Sequence, residues 1–266
     1  MSLGSLQGLE RQPGRHPALR QGYASMAEDR SVLTRSAPAP ERVLAYGDSP
    51  DQVVDVYPGH RSTALVLIHG GYWRPEYDRI HLRPMATALA DAGWTTYLIE
   101  YRREPGNPRA MADDVRAAIK ASAADSDGAR LLLIGHSAGG HLALTAAAGD
   151  QALIHGVIAL APLADLTSAL ALDLDDGAAQ SYLGAAPVEE HCPIAQPSPE
   201  VPVLIVHGDK DELVPIELSR TYARTHPVTA LLEIPGGTHF ALIDPQSSIW
   251  PRLLEVVASS AQSTSA

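Results

Sequence analysis

The chain has 266 residues, enough for one large α/β domain, and its 45% hydrophobic content can fill a core. Acidic residues number 31 against 20 basic ones, a formal net charge of −11. That balance excludes nucleic acid as an expected partner, because phosphate binding needs clustered Lys and Arg. The single cysteine, Cys192, cannot close an intramolecular disulfide, and no Cys/His cluster has zinc spacing. No stretch approaches the roughly 20 apolar residues of a membrane helix. The amino-terminal residues lack an apolar signal-peptide core. These readings predict a cytoplasmic protein in a reducing compartment, with no membrane partner.

Residues 1–40 read as a lead-in, partly flexible, with the Pro-rich stretch 36–40 as a loop. The body of the chain is expected over 41–262. Residues 43–46 and 53–57 are short β-type runs separated by Gly47-Asp48-Ser49-Pro50, which predicts a hairpin. Residues 65–68 form a continuous apolar run without alternation, as suits a central parallel strand buried on both faces. Residues 95–99, 131–134, 157–160, 203–206 and 231–234 have the same character. Helical stripes lie between them: Leu82, Met85 and Leu89; Met111, Val115 and Ile119; Leu142 and Ala146; residues 216–222; and residues 249–257. Strands alternating with helices predict a mostly parallel sheet covered on both faces. Residues 166–200, with Asp173, Asp175, Asp176 and four prolines, break the alternation and read as a small cap. The three Asp lack the Gly and Glu of a calcium loop and read as a solvated face.

The run 131–134 leads into Gly135-His136-Ser137-Ala138-Gly139, with a helical pattern directly after it. This is G-x-S-x-G in a strand–turn–helix context. Glycines are required because strand and helix pass closely beside a sharply turned serine. The turn exposes the Ser137 hydroxyl above the sheet, and the Ala138 N–H, at the helix start, faces any developing oxyanion. A Gly-Ser turn without chemistry is the alternative. In this context the segment resembles the nucleophile turn of the α/β-hydrolases.

That resemblance implies an acid and then a histidine further along the chain. Asp165, Asp209, Asp211 and Glu212 compete for the acid. Hydrolases of this fold often show G-x-x-D-x-x-V-P after the relevant strand, and Asp211 fills the D of Gly208 to Pro215. His239 follows the last strand on a Gly-rich turn; most of the eleven histidines must be bystanders. His207 and His136 read as structural. In this scheme Asp211 orients His239, and His239 shuttles the proton of Ser137.

His69-Gly70-Gly71-Tyr72-Trp73 follows the first central strand. Its adjacent glycines free the N–H groups of Gly70, Gly71 and Tyr72 to complete an oxyanion hole with Ala138. A plain Gly-Gly turn is the alternative reading. The segment resembles the H-G-G-x-W motif of kynurenine formamidases, and Gly135 to Ala143 and Asp55 to Pro58 resemble that family too. The resemblance extends from about Tyr46 to Trp250. Related carboxylesterases usually carry H-G-G-G, with Tyr72 standing here at the third glycine. It implies a serine hydrolase that removes formyl from an arylamine, or alternatively a carboxylesterase or acyl hydrolase/transferase acting on a small ester. Tyr72, Trp73 and Tyr77 are expected to line an aromatic pocket, with packing as the rival role. Arg102 and Arg103 read as surface charge, with a substrate carboxylate as the alternative partner. No cofactor or metal is implied, the partner is a small-molecule substrate, and a homodimer is compatible with the sequence.

Overall fold

The computed structural model describes residues 28–149 and 152–263. Most of the expected lead-in therefore lies outside the described residues. The described residues form an eight-stranded sheet in the order β1-β2-β4-β3-β5-β6-β7-β8. Its strands are β1 (Arg42–Ala45), β2 (Val53–Tyr57), β3 (Thr63–Ile68), β4 (Thr96–Ile99), β5 (Arg130–His136), β6 (Ile154–Leu160), β7 (Val203–Gly208) and β8 (Thr229–Ile234). Strand β2 pairs antiparallel with both β1 and β4, and every other pairing is parallel. This is the α/β-hydrolase fold.

The unalternating apolar runs become strands buried on both faces, as β3 and β4 are throughout. Period two still assigns their side chains. Ala64, Val66 and Ile68 join one core layer, and Leu65 and Leu67 the other. The first layer is closed by α2 (Pro108–Asp125), α3 (Ala138–Ala147) and α7 (Glu217–Thr225), through Met111, Val115, Leu142, Leu218 and Tyr222. The second is closed by α1 (Arg83–Asp91) and α8 (Trp250–Ser263), through Met85, Leu89, Trp250, Leu253 and Val257. Each such buried side chain stabilises the fold by about 1.5–3 kcal/mol. Strand β8 departs from the expected double burial. It is an edge strand with Ala230 and Glu233 exposed, because nothing among the described residues pairs beyond it.

Between β6 and β7 the chain makes its excursion through three short helices, α4 (Leu166–Ala171), α5 (Ala178–Leu183) and α6 (Val188–His191). The Asp165 carboxylate caps α4 by accepting from the Ser168 N–H. The excursion is sewn to the body at several places. The Gly106 N–H donates to the Ser181 carbonyl at 2.8 Å, and the Ile194 N–H to the Ala164 carbonyl at 3.1 Å. His141 Nε2 on α3 lies 2.8 Å from the His191 carbonyl.

Part of the expected lead-in is packed. Residues Ser31–Thr34 form a short 3-10 turn with Val32 buried beside the α1 layer. Arg35 is paired with Asp244. Among the described residues no helix is long and apolar enough to cross a membrane.

Candidate active site

The serine turn is built by steric exclusion. Ser137 sits between β5 and α3 with φ 57° and ψ −118°, a left-handed conformation that costs a side-chain-bearing residue about 1–3 kcal/mol. A Cβ on Gly139 would meet the Ile68 carbonyl oxygen at 2.1 Å, and one on Gly135 the Gly139 oxygen at 2.2 Å. Only hydrogens fit at those positions, so the motif's spacing is a packing requirement. The strain is held by backbone hydrogen bonds: the Ser137 N–H donates to the Leu160 carbonyl at 2.8 Å, and its carbonyl accepts from the His141 N–H at 3.0 Å.

The acid and the histidine arrive from the neighbouring strand ends. His239 Nδ1 lies 2.6 Å from Asp211 Oδ2, and both side chains are buried. With Nδ1 held by the carboxylate, Nε2 is the ring nitrogen left for proton exchange. Asp211 Oδ1 accepts from the Leu213 N–H at 2.9 Å and the Val214 N–H at 2.8 Å. Burial alone would push the Asp211 carboxyl up, but the bonds from His207, His239 and Val214 outweigh it and hold the group well below the usual carboxylate range. His207 stands behind this pair, with Nε2 3.3 Å from Asp211 Oδ2 and Nδ1 2.6 Å from the Ser219 hydroxyl. His136 packs on the His239 ring with centroids 4.5 Å apart. Burial, aided by the neighbouring His239, drives its pKa well below the usual value, so it is a neutral wall of the site. The competing acids are occupied elsewhere: Asp209 accepts from the Gly236 N–H, and Asp165 caps α4.

The loop after β3 is held differently. Tyr72 and Trp73 both have positive φ, 50° and 56°; Tyr72 thus adopts the backbone that a glycine would take at the third position. Among the described residues no protein acceptor takes the N–H of Gly70, Gly71, Tyr72 or Ala138, which leaves these donors for a ligand oxygen. A Cβ on Gly70 would lie 3.0 Å from the Ser137 Cβ, so this loop borders the serine directly. Beneath it lies a buried ionic cluster. His69 Nε2 is 2.8 Å from Glu100 Oε1, and His69 Nδ1 is 2.8 Å from the Gly70 carbonyl. Glu100 also pairs with Arg103 and Arg79, and Arg79 and Arg83 pair with the buried Asp55. Burial opposes ionisation of Glu100, but His69 and Arg103 bring its pKa down to about 2. The Tyr101 ring stacks on His69 at 4.5 Å, and its hydroxyl donates to the His69 carbonyl.

Ser137 and His239 line one cavity of about 50 Å³ that opens to solvent. Gly71, Tyr72, Tyr77, His81, Leu213 and Phe240 contribute to its walls. Burial lowers the pKa of His81 to about 4. Tyr72 and Tyr77 therefore lie where a pocket role needs them. Trp73 does not: it is buried away from this cavity, stacked on Tyr182 at 4.4 Å and edge-on to His141 at 5.1 Å. Its indole fills the gap between α3 and α5, the packing role that the sequence left as the rival. Arg103 is likewise not surface charge but part of the buried cluster, while Arg102 pairs with Asp114 at 2.8 Å. Sequence reasoning missed Glu100, whose only signal was a carboxylate at the end of an apolar strand. It also missed Glu28, whose carboxylate accepts from the His239 N–H at 3.1 Å and the Phe240 N–H at 2.9 Å. Among the described residues no group of His, Cys, Asp or Glu is arranged to hold a metal.

The fold is that of the α/β-hydrolase class, with Ser137 and His239 on one cavity and Asp211 held against His239. A family model described as BD-FAE matches residues 54–225, and the chain belongs to that family. It is similar to the esterase LipQ of Mycobacterium tuberculosis, 30% identical over 196 residues that cover 64% of this chain and 47% of LipQ. It is similar also to the probable carboxylic ester hydrolase LipM of the same organism, 31% identical over 195 residues, or 60% of this chain and 44% of LipM. The chain thus spans less than half the length of either relative. Among solved structures, a phosphonate-inhibited esterase B from Lactobacillus rhamnosis superposes with TM-score 0.73 at 21% identity, over 86% of this chain and 88% of that one. A putative thioesterase from Silicibacter sp. gives TM-score 0.66 at 23% identity, over 85% and 88%. At such identities the likeness is one of fold.

Proposed function

We propose that the chain is a carboxylesterase that hydrolyses a small ester through an acyl-enzyme on Ser137. The observation that carries this reading is the shared cavity of Ser137 and His239, with His239 Nδ1 held 2.6 Å from the buried Asp211. In the reaction, His239 Nε2 takes the hydroxyl proton as Ser137 Oγ bonds to the acyl carbon. The carbonyl oxygen becomes an oxyanion, facing the N–H groups of Gly70, Gly71, Tyr72 and Ala138. The carbon–oxygen bond to the alcohol then breaks, and His239 returns its proton to the departing oxygen. Water repeats the sequence, freeing the acid and restoring Ser137. Asp211 stays ionised throughout and stabilises the imidazolium. The names of the relatives, esterase LipQ and probable carboxylic ester hydrolase LipM, support ester cleavage over other acyl chemistry.

The formamidase reading keeps one specific support, the aromatic walls Tyr72, Tyr77 and Phe240 beside Ser137, which suit an aryl group. The same steps would release formate and an arylamine. A panel of p-nitrophenyl esters from about two to eight carbons, assayed beside N-formylkynurenine, separates the two. The ester reading expects the highest kcat/KM on short esters, because the cavity is small. Turnover of N-formylkynurenine well above every ester would reverse the order of the two readings.

A further inference from the structure

The cavity carries an arginine without a carboxylate. Arg30 lines its mouth together with Ser137 and His239. Its guanidinium stands 5.6 Å over the Phe240 ring, and no salt bridge engages it among the described residues. The other charges nearby are committed. Asp175, on the same cavity, pairs with Arg74 at 2.7 Å. Asp211 is buried behind His239, and the Glu28 carboxylate is spent on the His239 and Phe240 N–H groups. Arg102 and Arg103, the arginines that the sequence offered for a substrate carboxylate, are bound to Asp114 and Glu100.

In a chain with 31 acidic and 20 basic residues, unpaired cations are scarce, and most described arginines do hold a carboxylate. Arg30 is also placed with some care. Glu28 fixes the chain two residues before it to the His239 loop. The Arg30 carbonyl accepts from the Leu33 N–H at 3.0 Å, and buried Val32 anchors the turn after it. A guanidinium held in this way, exposed to solvent and free of any salt bridge among the described residues, matches a carboxylate by paired hydrogen bonds. We infer that Arg30 is a specificity residue that receives the carboxylate of an anionic substrate, so that the chain prefers esters bearing a free acid group over neutral esters of equal length. The inference rests on the ester-hydrolase reading of the same site.

The test uses matched pairs with the carboxylate on either side of the scissile bond. One pair is p-nitrophenyl monoadipate and p-nitrophenyl hexanoate; the other is 3-carboxy-4-nitrophenyl and 4-nitrophenyl butyrate. In at least one pair the wild type should favour the anionic ester, mainly through KM. Arg30→Gln should cut that kcat/KM ratio roughly three- to tenfold, the range for one exposed charge-assisted contact. Arg30→Lys should recover part of it, and about 0.5 M salt should weaken the wild-type preference. An unchanged ratio in Arg30→Gln, or no anionic preference in either pair, overturns the role of Arg30 while leaving the hydrolase intact. No turnover of any ester by folded protein overturns the hydrolase reading and this inference with it.

Discussion

The two walls of the cavity are held in place by different forces. The Ser137 wall is an arrangement of backbone: glycines that admit a close strand–helix approach, and carbonyls and N–H groups that hold a strained φ. The wall formed by Gly71 and Tyr72 rests on an arrangement of charge, in which His69, Glu100, Arg79, Arg103, Asp55 and Arg83 form one buried network below the loop. The first tolerates no added volume. The second tolerates no lost partner, because removing one member leaves another charge buried and unpaired.

The largest effects should come from the backbone wall. Gly139→Ala sets a methyl 2.1 Å from a carbonyl oxygen, so expression should yield little folded protein, with a destabilisation of about 4 kcal/mol or more by chemical denaturation. Two residues away, Ser137→Ala removes an oxygen and no packing. Its melting temperature should stay within a few degrees while kcat falls about 10⁴-fold or more. The charge wall should answer next. Glu100→Gln should cost about 3–5 kcal/mol and depress kcat as the Gly70 to Tyr72 donors lose their support. Glu100 also gives a pH test. Its folded-state pKa is lowered from 4.5 to about 2, so its stabilisation is fully present above about pH 4.5. That stabilisation should be lost as pH falls from 4.5 toward 2, and Glu100→Gln should flatten this part of a denaturation-against-pH curve.

Smaller effects sharpen where each wall ends. Glu28→Ala frees two N–H groups at His239 and Phe240, and kcat should drop about three- to tenfold with little change in melting temperature. Glu28→Gln, which still offers an oxygen, should restore part of it. Equal losses in kcat and stability would make the contact merely structural. Trp73→Phe should cost only about 1–2 kcal/mol and leave KM unchanged, since the indole packs on Tyr182 rather than on the cavity.

The backbone wall was legible from sequence because its requirements act on adjacent residues. Strand, G-x-S-x-G and helix follow each other, and the clashes at Gly135 and Gly139 are consequences of that order. The continuous apolar runs located the central strands for the same reason, since burial on both faces leaves no alternation. The charge wall was not legible. Asp55 lies within β2, His69 follows β3, and Glu100 and Arg103 follow β4; only the sheet order unites them, and Arg103 looked like surface charge. Trp73 failed for a related reason: its neighbour Tyr182 belongs to the excursion after β6, whose course no periodicity reveals. Glu28 and Arg30 sit in a stretch of polar residues whose value lies wholly in what they touch.

Reaction with a fluorophosphonate followed by peptide mass spectrometry tests the central claim most directly, because it asks whether this serine, in this pocket, is a nucleophile. The account predicts one adduct on Ser137, abolished in Ser137→Ala and slowed by orders of magnitude in His239→Asn. Folded protein that takes no label, or takes it elsewhere with Ser137 unmodified, would contradict it.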